Sequence, residues 1–230
     1  QDVLRRHRQA LGTVPDTAPE EVIHAAKELW DRAVSGCEKH GIRNSQSTVI
    51  APTGTISFMM DCDTTGIEPD LGLVKFKKLV GGGDLTIVNR TLGRALGRLG
   101  YPTGEIEDIE AYVLDKGSIM GAPHVQESHL PIFACSMGDN VIHHEAHILM
   151  MAAAQPFVSG AISKTVNLSE SATVEDVESL HLMAWKLGLK AVAIYRDNCK
   201  VGQPLSTTRD DEGLIGDAVN EAIVEAQSTP

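Results

Sequence analysis

The chain has 230 residues, 42% of them hydrophobic, which is enough to bury a core in one domain or one and a half. A formal net charge of -11 argues against a duplex nucleic-acid binder, which needs a basic face to displace counterions. No apolar run approaches the roughly 18 residues of a membrane span, and no basic-then-apolar leader is present, so neither membrane insertion nor secretion is expected.

The four cysteines, Cys37, Cys62, Cys135 and Cys199, lie far apart and form no CxxC pair. A disulfide scaffold and a zinc knuckle are therefore not expected, and a reducing cytoplasm is the default location. Gln1 in place of Met and the basic opening Arg5-Arg6-His7-Arg8 lead us to expect a fragment of a longer protein.

In chain order, 1–17 read as polar and basic. Pro19-Glu20-Glu21 then open a helix with an acidic first turn, carried by Val22, Ala25, Ala26, Leu29 and Trp30 to about His40 and ended by Gly41. A short strand is expected over 47–51, buried on both faces because Val49-Ile50-Ala51 is continuous rather than alternating. Another strand over 74–80 leads to Gly81-Gly82-Gly83. Asp84 is placed as the cap of a helix with Leu85, Val88, Leu92, Leu96 and Leu99 on one side and Arg90, Arg94 and Arg98 on a solvated side.

A helix over 105–114, a loop-rich stretch over 118–140 and a helix over 141–155 ended by Pro156 follow. After a strand over 160–166, Thr173-Val174-Glu175-Asp176 reads as a capping box, with Val177, Leu180, Ala184 and Leu187 as the apolar stripe behind it. Gly188 closes that helix and a strand over 189–195 completes a βαβ unit, for which parallel pairing is expected. The stretch 209–230 holds six acidic residues and one basic, and is expected to be a mobile or weakly helical tail.

The stretch 48–70 carries the chemistry. Its apolar β-branched lead delivers the chain to Pro52-Thr53-Gly54-Thr55-Ile56-Ser57, where a helix begins. Unpaired N–H groups at a helix start, with the dipole behind them, make an anion site, and Thr53, Thr55 and Ser57 add hydroxyls. Gly54 allows close backbone approach. The same residue types also serve plain helix capping, so the residues alone leave both readings open. The stretch has neither the lysine of a Walker A loop nor the spacing of a dinucleotide fingerprint.

Glu68, held extended before Pro69, is a candidate accessory carboxylate for substrate or cofactor, although turn chemistry favours a solvated surface residue. Cys62 lies between Asp61 and Asp63, whose charges would raise its thiol pKa, and a buried or structural cysteine is expected there. His143, His144, Glu145 and His147 offer metal-ligand types, but HHEAH is one residue short of HExxH and has no third ligand at a recognisable distance. No metal site is expected.

The run APTGTISFMMDCDTTGIEPD over 51–70, with KKLVGGG, MMAAAQPFVSGAISKTVNL, TVEDV and WKLGLKAVAIYRD in the same order downstream, resembles the C-terminal part of adenosylcobalamin-dependent, class II ribonucleotide reductase. The resemblance covers roughly 40–200. It implies an α/β fold, the C-terminal part of a ten-stranded α/β barrel of the ribonucleotide reductase and glycyl radical enzyme type, over 1–205, with the acidic flexible tail over 206–230. It also implies that Pro52, Thr53, Gly54, Thr55, Ile56 and Ser57 bind the phosphates of a ribonucleotide, with diphosphates the commoner substrates.

The implied chemistry is a cobalamin-initiated thiyl radical that removes the ribose 3′-hydrogen, after which a cysteine pair reduces the 2′-carbon and a thioredoxin-type reductant restores the pair. Adenosylcobalamin is the implied cofactor, and a homodimer is left open. The family's thiyl cysteine lies in an Asn-Pro-Cys-x-Glu setting that none of the four cysteines has, and the C-terminal cysteine pair is also missing. The chain is therefore expected to hold substrate phosphates without a complete catalytic set, and to be inactive alone. Tyr195 is read as barrel packing. A stand-alone nucleotide or phosphate-binding module is the alternative, and a histidine-based metallohydrolase the weakest reading.

Overall fold

The computed structural model describes residues 1–78, 84–199 and 205–206. The expectations for Gly81-Gly82-Gly83 and for the acidic tail beyond residue 206 lie outside the described residues. Helix α1 (Asp2–Ala10) and a 3-10 turn (Leu11–Thr13) occupy the polar and basic lead. Its apolar signal is sparse because only Leu4, His7 and Leu11 turn inward. Helix α2 (Glu20–His40) has the expected limits, with Gly41 ending it at φ +74°. Arg8 to Asp31 at 2.6 Å and Arg5 to Glu38 at 2.8 Å tie α1 to α2, and the His7 ring packs 5.2 Å from Trp30. The expected stripe on α2 is corrected: Val22 and Leu29 are exposed, and Cys37 is the residue it buries.

Helix α3 (Gly54–Met59) follows the turn at 52–53. The strand expected just before it is corrected. Ile50 makes one parallel bridge to Ile162, and Val49 is 66% exposed, so the segment runs extended along 160–163 with one side open.

A first core gathers around a hairpin. Strand β1 (Val74–Lys78) pairs antiparallel with β2 (Asp84–Val88) in the register Val74↔Val88 to Lys78↔Asp84. The helix expected from Asp84 onward is thereby corrected to a strand followed by the shorter α4 (Leu92–Arg98). Leu85-Thr86-Ile87-Val88 is mostly β-branched, which suits a paired strand better than a helix turn. Leu92 and Leu96 keep the expected helical spacing and bury against Ile109 and Val113 of α5 (Thr103–Lys116). A 3-10 turn (Glu127–Phe133) adds Phe133 to this core.

A second core is built on the βαβ unit. Helix α6 (His144–Ala154) starts later than expected because the His143 side chain caps it, accepting from the Glu145 N–H. After a 3-10 turn (Gln155–Phe157), β3 (Thr165–Leu168) pairs in parallel with β4 (Ala193–Arg196), and α7 (Val174–Lys186) crosses between them. Both strands start later than the sequence pattern suggested. The capping box at Thr173 and Asp176 is formed, and Gly188 adopts φ +74° past the helix end. Ile148, Met151, Ile162, Val166, Leu180 and Ala184 close this core, while Leu187 stays exposed. Strand β5 (Leu205–Ser206) returns to pair antiparallel with β1, giving the order β2-β1-β5.

Candidate functional site

The turn at 52–57 is shaped by one residue in an unusual conformation. Thr53 has φ +52°, a left-handed value that a β-branched side chain rarely adopts. Its hydroxyl accepts the Gly66 N–H at 2.8 Å and lies 2.9 Å from the Ser57 hydroxyl, while the Ser57 N–H donates to the Thr53 carbonyl at 2.8 Å. The Thr53 and Ser57 hydroxyls are thus engaged within the turn.

The donors left open are backbone groups and the exposed Thr55 hydroxyl. Gly54, Thr55 and Ile56 are the first three residues of α3, so their N–H groups have no intrahelical acceptor. They have no other acceptor among the described residues. Thr55 and Ile56 are exposed and Ser57 is buried, so the helix start faces outward from a fixed base. A Cβ on Gly54 would meet nothing within 4 Å, which leaves that approach clear.

The segment 61–70 folds back over the turn like a strap. Gly66, at φ +53°, lies so close that a Cβ there would meet the Ala51 carbonyl oxygen at 2.8 Å and the Pro52 carbonyl oxygen at 3.2 Å. Cys62, expected to be buried, is exposed on this strap. The buried cysteines are Cys37 and Cys135, and burial, reinforced by Asp70, pushes the Cys135 thiol up to about 12.

Glu68 is not a solvated turn residue. Its carboxylate accepts from Lys164 Nζ at 3.0 Å and from the Thr165 N–H at 2.6 Å. Lys164 is buried, and its ammonium also donates to the Thr165 carbonyl at 2.9 Å and to His147 Nδ1. Burial lowers the Lys164 pKa against the opposing pull of Glu68. Burial first, then Lys164 and His144, hold His147 down to about 4, so it is neutral with its proton on Nε2. His147 Nε2 is buried without a partner among the described residues. No group of three or more metal-ligating side chains forms among the described residues, and His143 and His147 have separate roles as helix cap and lysine acceptor.

On the other side of the strap, Lys75 Nζ pairs with Asp70 at 2.5 Å and donates to the Asp63 carbonyl at 2.7 Å. Asn89 Nδ2 fills the second Asp70 oxygen at 2.6 Å. Arg90, expected on a solvated helix face, sits before α4 and reaches Asp63 at 3.5 Å, while Arg94 and Arg98 are exposed as expected. Sequence reasoning missed Lys164, Lys75 and Gly66. The available signal was a lone lysine in the otherwise uncharged stretch 156–168.

The ribonucleotide reductase barrel domain matches this chain over residues 4–195. The chain belongs to the ribonucleotide reductase family. It is 53% identical over 212 residues to the vitamin B12-dependent ribonucleotide reductase of Streptantibioticus cattleyicolor, covering 91% of this chain and 35% of that protein. With the enzyme of the same description from Streptomyces coelicolor the identity is 58% over 216 residues, covering 91% and 22%. A vitamin B12-dependent ribonucleoside-diphosphate reductase of Mycobacterium tuberculosis is 35% identical over 165 residues, covering 72% and 23%.

The class Id ribonucleotide reductase alpha subunit of Actinobacillus ureae matches in structure with a TM-score of 0.54 at 19% identity, over 85% of this chain and 34% of that one. That likeness carries the fold alone: this is part of the reductase α/β barrel. The chain spans about a third or less of the length of these proteins.

The relatives' vitamin B12 dependence raises the question of a corrin site. Two cavities, of about 340 Å³ beside Tyr101 and His124 and about 320 Å³ beside Leu4 and Ile42, lie away from the turn. Both are at the small end of the roughly 300–1,000 Å³ that suits a drug-sized ligand, and a cobalamin is several times larger than such a ligand. Neither of these two cavities fits the cofactor. No helix among the described residues is long and apolar enough to cross a membrane.

Proposed function

We propose that this chain supplies the substrate phosphate-binding turn of a vitamin B12-dependent ribonucleotide reductase, with ribonucleoside diphosphates as the substrates. The observation that carries the reading is the row of three open N–H groups at Gly54, Thr55 and Ile56, presented by a left-handed Thr53 that the strap holds in place. Three converging N–H donors at the positive end of a helix suit a phosphate's oxygens, and the exposed Thr55 hydroxyl adds a fourth donor. Pro52 fixes the approach of the chain and Ser57 secures the base of the turn.

In the reaction we infer for the intact protein, the 2′-hydroxyl leaves as water while a pair of cysteines is oxidised to a disulfide, which a thioredoxin-type reductant then reduces. Adenosylcobalamin is the proposed radical source. The cysteines of this chain lack the Asn-Pro-Cys-x-Glu setting, so its own part is to bind and orient the substrate. On its own it is expected to bind nucleotide and to reduce none.

The test is a titration of the protein and its Gly54→Val variant with a ribonucleoside diphosphate. Because a Cβ at Gly54 meets nothing within 4 Å, the variant keeps the turn and blocks only the approach to it. Affinity is expected to fall at least about tenfold, the loss of one well-made charge-assisted hydrogen bond. Equal binding by the two proteins would reject the site.

A further inference from the structure

We propose that Lys164 and Glu68 are positioning residues for the anion-binding turn, acting through the strap at 61–68; the inference rests on the phosphate reading of that turn. Lys164 does not reach a ligand itself. Its ammonium has three donors, and Glu68, the Thr165 carbonyl and His147 Nδ1 take all three. Its side chain is 1% exposed, and a cation so buried persists only where it is paired.

What the pair holds can be followed atom by atom. The two Glu68 oxygens are fixed to Lys164 and to the Thr165 N–H. The Glu68 N–H donates to the Thr65 carbonyl at 3.0 Å, closing a tight turn that contains Gly66. Gly66 then donates to the Thr53 hydroxyl at 2.8 Å. The left-handed Thr53 backbone is strained, and such a conformation survives only where its surroundings over-determine it.

The arm entering the turn is held by the same segment. Gly160 donates to the Thr48 carbonyl at 2.7 Å and Ser163 to the Ile50 carbonyl at 2.9 Å, while the Ser159 hydroxyl accepts from the Ser47 and Thr48 N–H groups at 2.9 Å each. One stretch, 159–165, therefore grips both arms: the incoming one largely by backbone, and the outgoing one by the Lys164 side chain together with the Thr165 N–H. Removing Lys164 weakens the hold on the outgoing arm alone, leaving Glu68 with only the Thr165 N–H. The loop that sets the Thr53 conformation then loosens while the strand register behind it stays.

The experiment uses the intact protein with Lys164→Met and Glu68→Gln, the second keeping an oxygen for the Thr165 N–H. Hydrogen exchange is followed over 52–66 and, as a folding control, over α7. Affinity is measured for a ribonucleoside diphosphate and for the matching ribonucleoside. In Lys164→Met, exchange over 52–66 is expected to speed up while α7 stays protected. Diphosphate affinity falls about tenfold or more, the scale of losing oriented contacts, and nucleoside affinity is unchanged. Glu68→Gln lies between this variant and wild type and carries the test if Lys164→Met does not fold.

Unchanged diphosphate affinity in a folded variant overturns the proposal. So does an equal loss for diphosphate and nucleoside, which is the mark of a merely structural role. A wild-type protein that binds both compounds equally well removes the phosphate reading itself, an outcome read before any variant is made.

Discussion

Lys75 and Lys164 are both buried cations, and their carboxylate partners, Asp70 and Glu68, are separated only by Pro69. Each anchors one flank of the same strap, Lys75 to the hairpin core and Lys164 to the βαβ core. Their surroundings differ. The Lys75–Asp70 pair has side chains 4% and 8% exposed, and its remaining hydrogen bonds go to Asn89 and a backbone carbonyl. Glu68 is 24% exposed, and Lys164 leans on His147, a group that can take up a proton. The first pair is a fixed joint, and the second has a titratable neighbour and some access to water. The joint open to modulation is the one bonded to the start of β3, beside the anion-binding turn.

The largest expected effect comes from breaking the closed pair. Asp70→Asn or Lys75→Met leaves one uncompensated buried charge, or a buried group without its partner, and should cost about 3–5 kcal/mol in chemical denaturation. Glu68→Gln should cost less, because water reaches the Lys164 side of the strap through the part-exposed Glu68. The reverse order of denaturation midpoints would break the comparison.

Acid should act on the second joint. The folded value of His147, about 4, lies below its ordinary 6.5, so between those values the unfolded chain binds the extra proton. The stability this burial contributes is complete above pH 6.5 and is lost as pH falls through about 4, by up to roughly 3 kcal/mol. Denaturation midpoints for wild type and His147→Gln between pH 7 and 4 should converge toward the acid end. Parallel curves would remove His147 from the joint.

The smallest effect tests whether the strap feels the second core as a whole. Thr173→Ala removes the α7 cap and should cost about 1 kcal/mol. Since Thr173 has no bond to the strap, hydrogen exchange over 52–66 should match wild type once global stability is allowed for. Faster exchange there would mean that any loosening of the βαβ core reaches the turn, without a special part for Lys164.

Helix α2 and the capped helix α7 were legible because their signals are local. The acidic first turn Glu20-Glu21 and the positive-φ Gly41 bracket one, and the Thr173–Asp176 capping box and Gly188 bracket the other, each acting within a few residues. Where a local pattern suited two partners, reading failed. Leu85 to Val88 fits the first turn of a leucine-striped helix as well as a strand, and pairing with β1 decided it. Val49-Ile50-Ala51 looked like a strand buried on both faces, yet 160–163 covers only one side. Nothing in the spacing of the histidine group told which histidine would meet a lysine seventeen residues on.

By itself the sequence determined the turn at 52–57, its glycine, its hydroxyls and the helix that starts there, because proline, glycine and capping chemistry act over a handful of bonds. It also determined the βαβ unit, through a period of apolar residues and two well-marked helix ends. Only the tertiary structure decided which donors of the turn stay free. The Thr53 and Ser57 hydroxyls are taken by each other and by Gly66, and the N–H groups of Gly54, Thr55 and Ile56 remain. It decided as well that Glu68 and Asp70 would each find a buried lysine, Lys164 and Lys75. Charge pairing in a core depends on which segments meet, and segments 96 residues apart carry no local sign of each other.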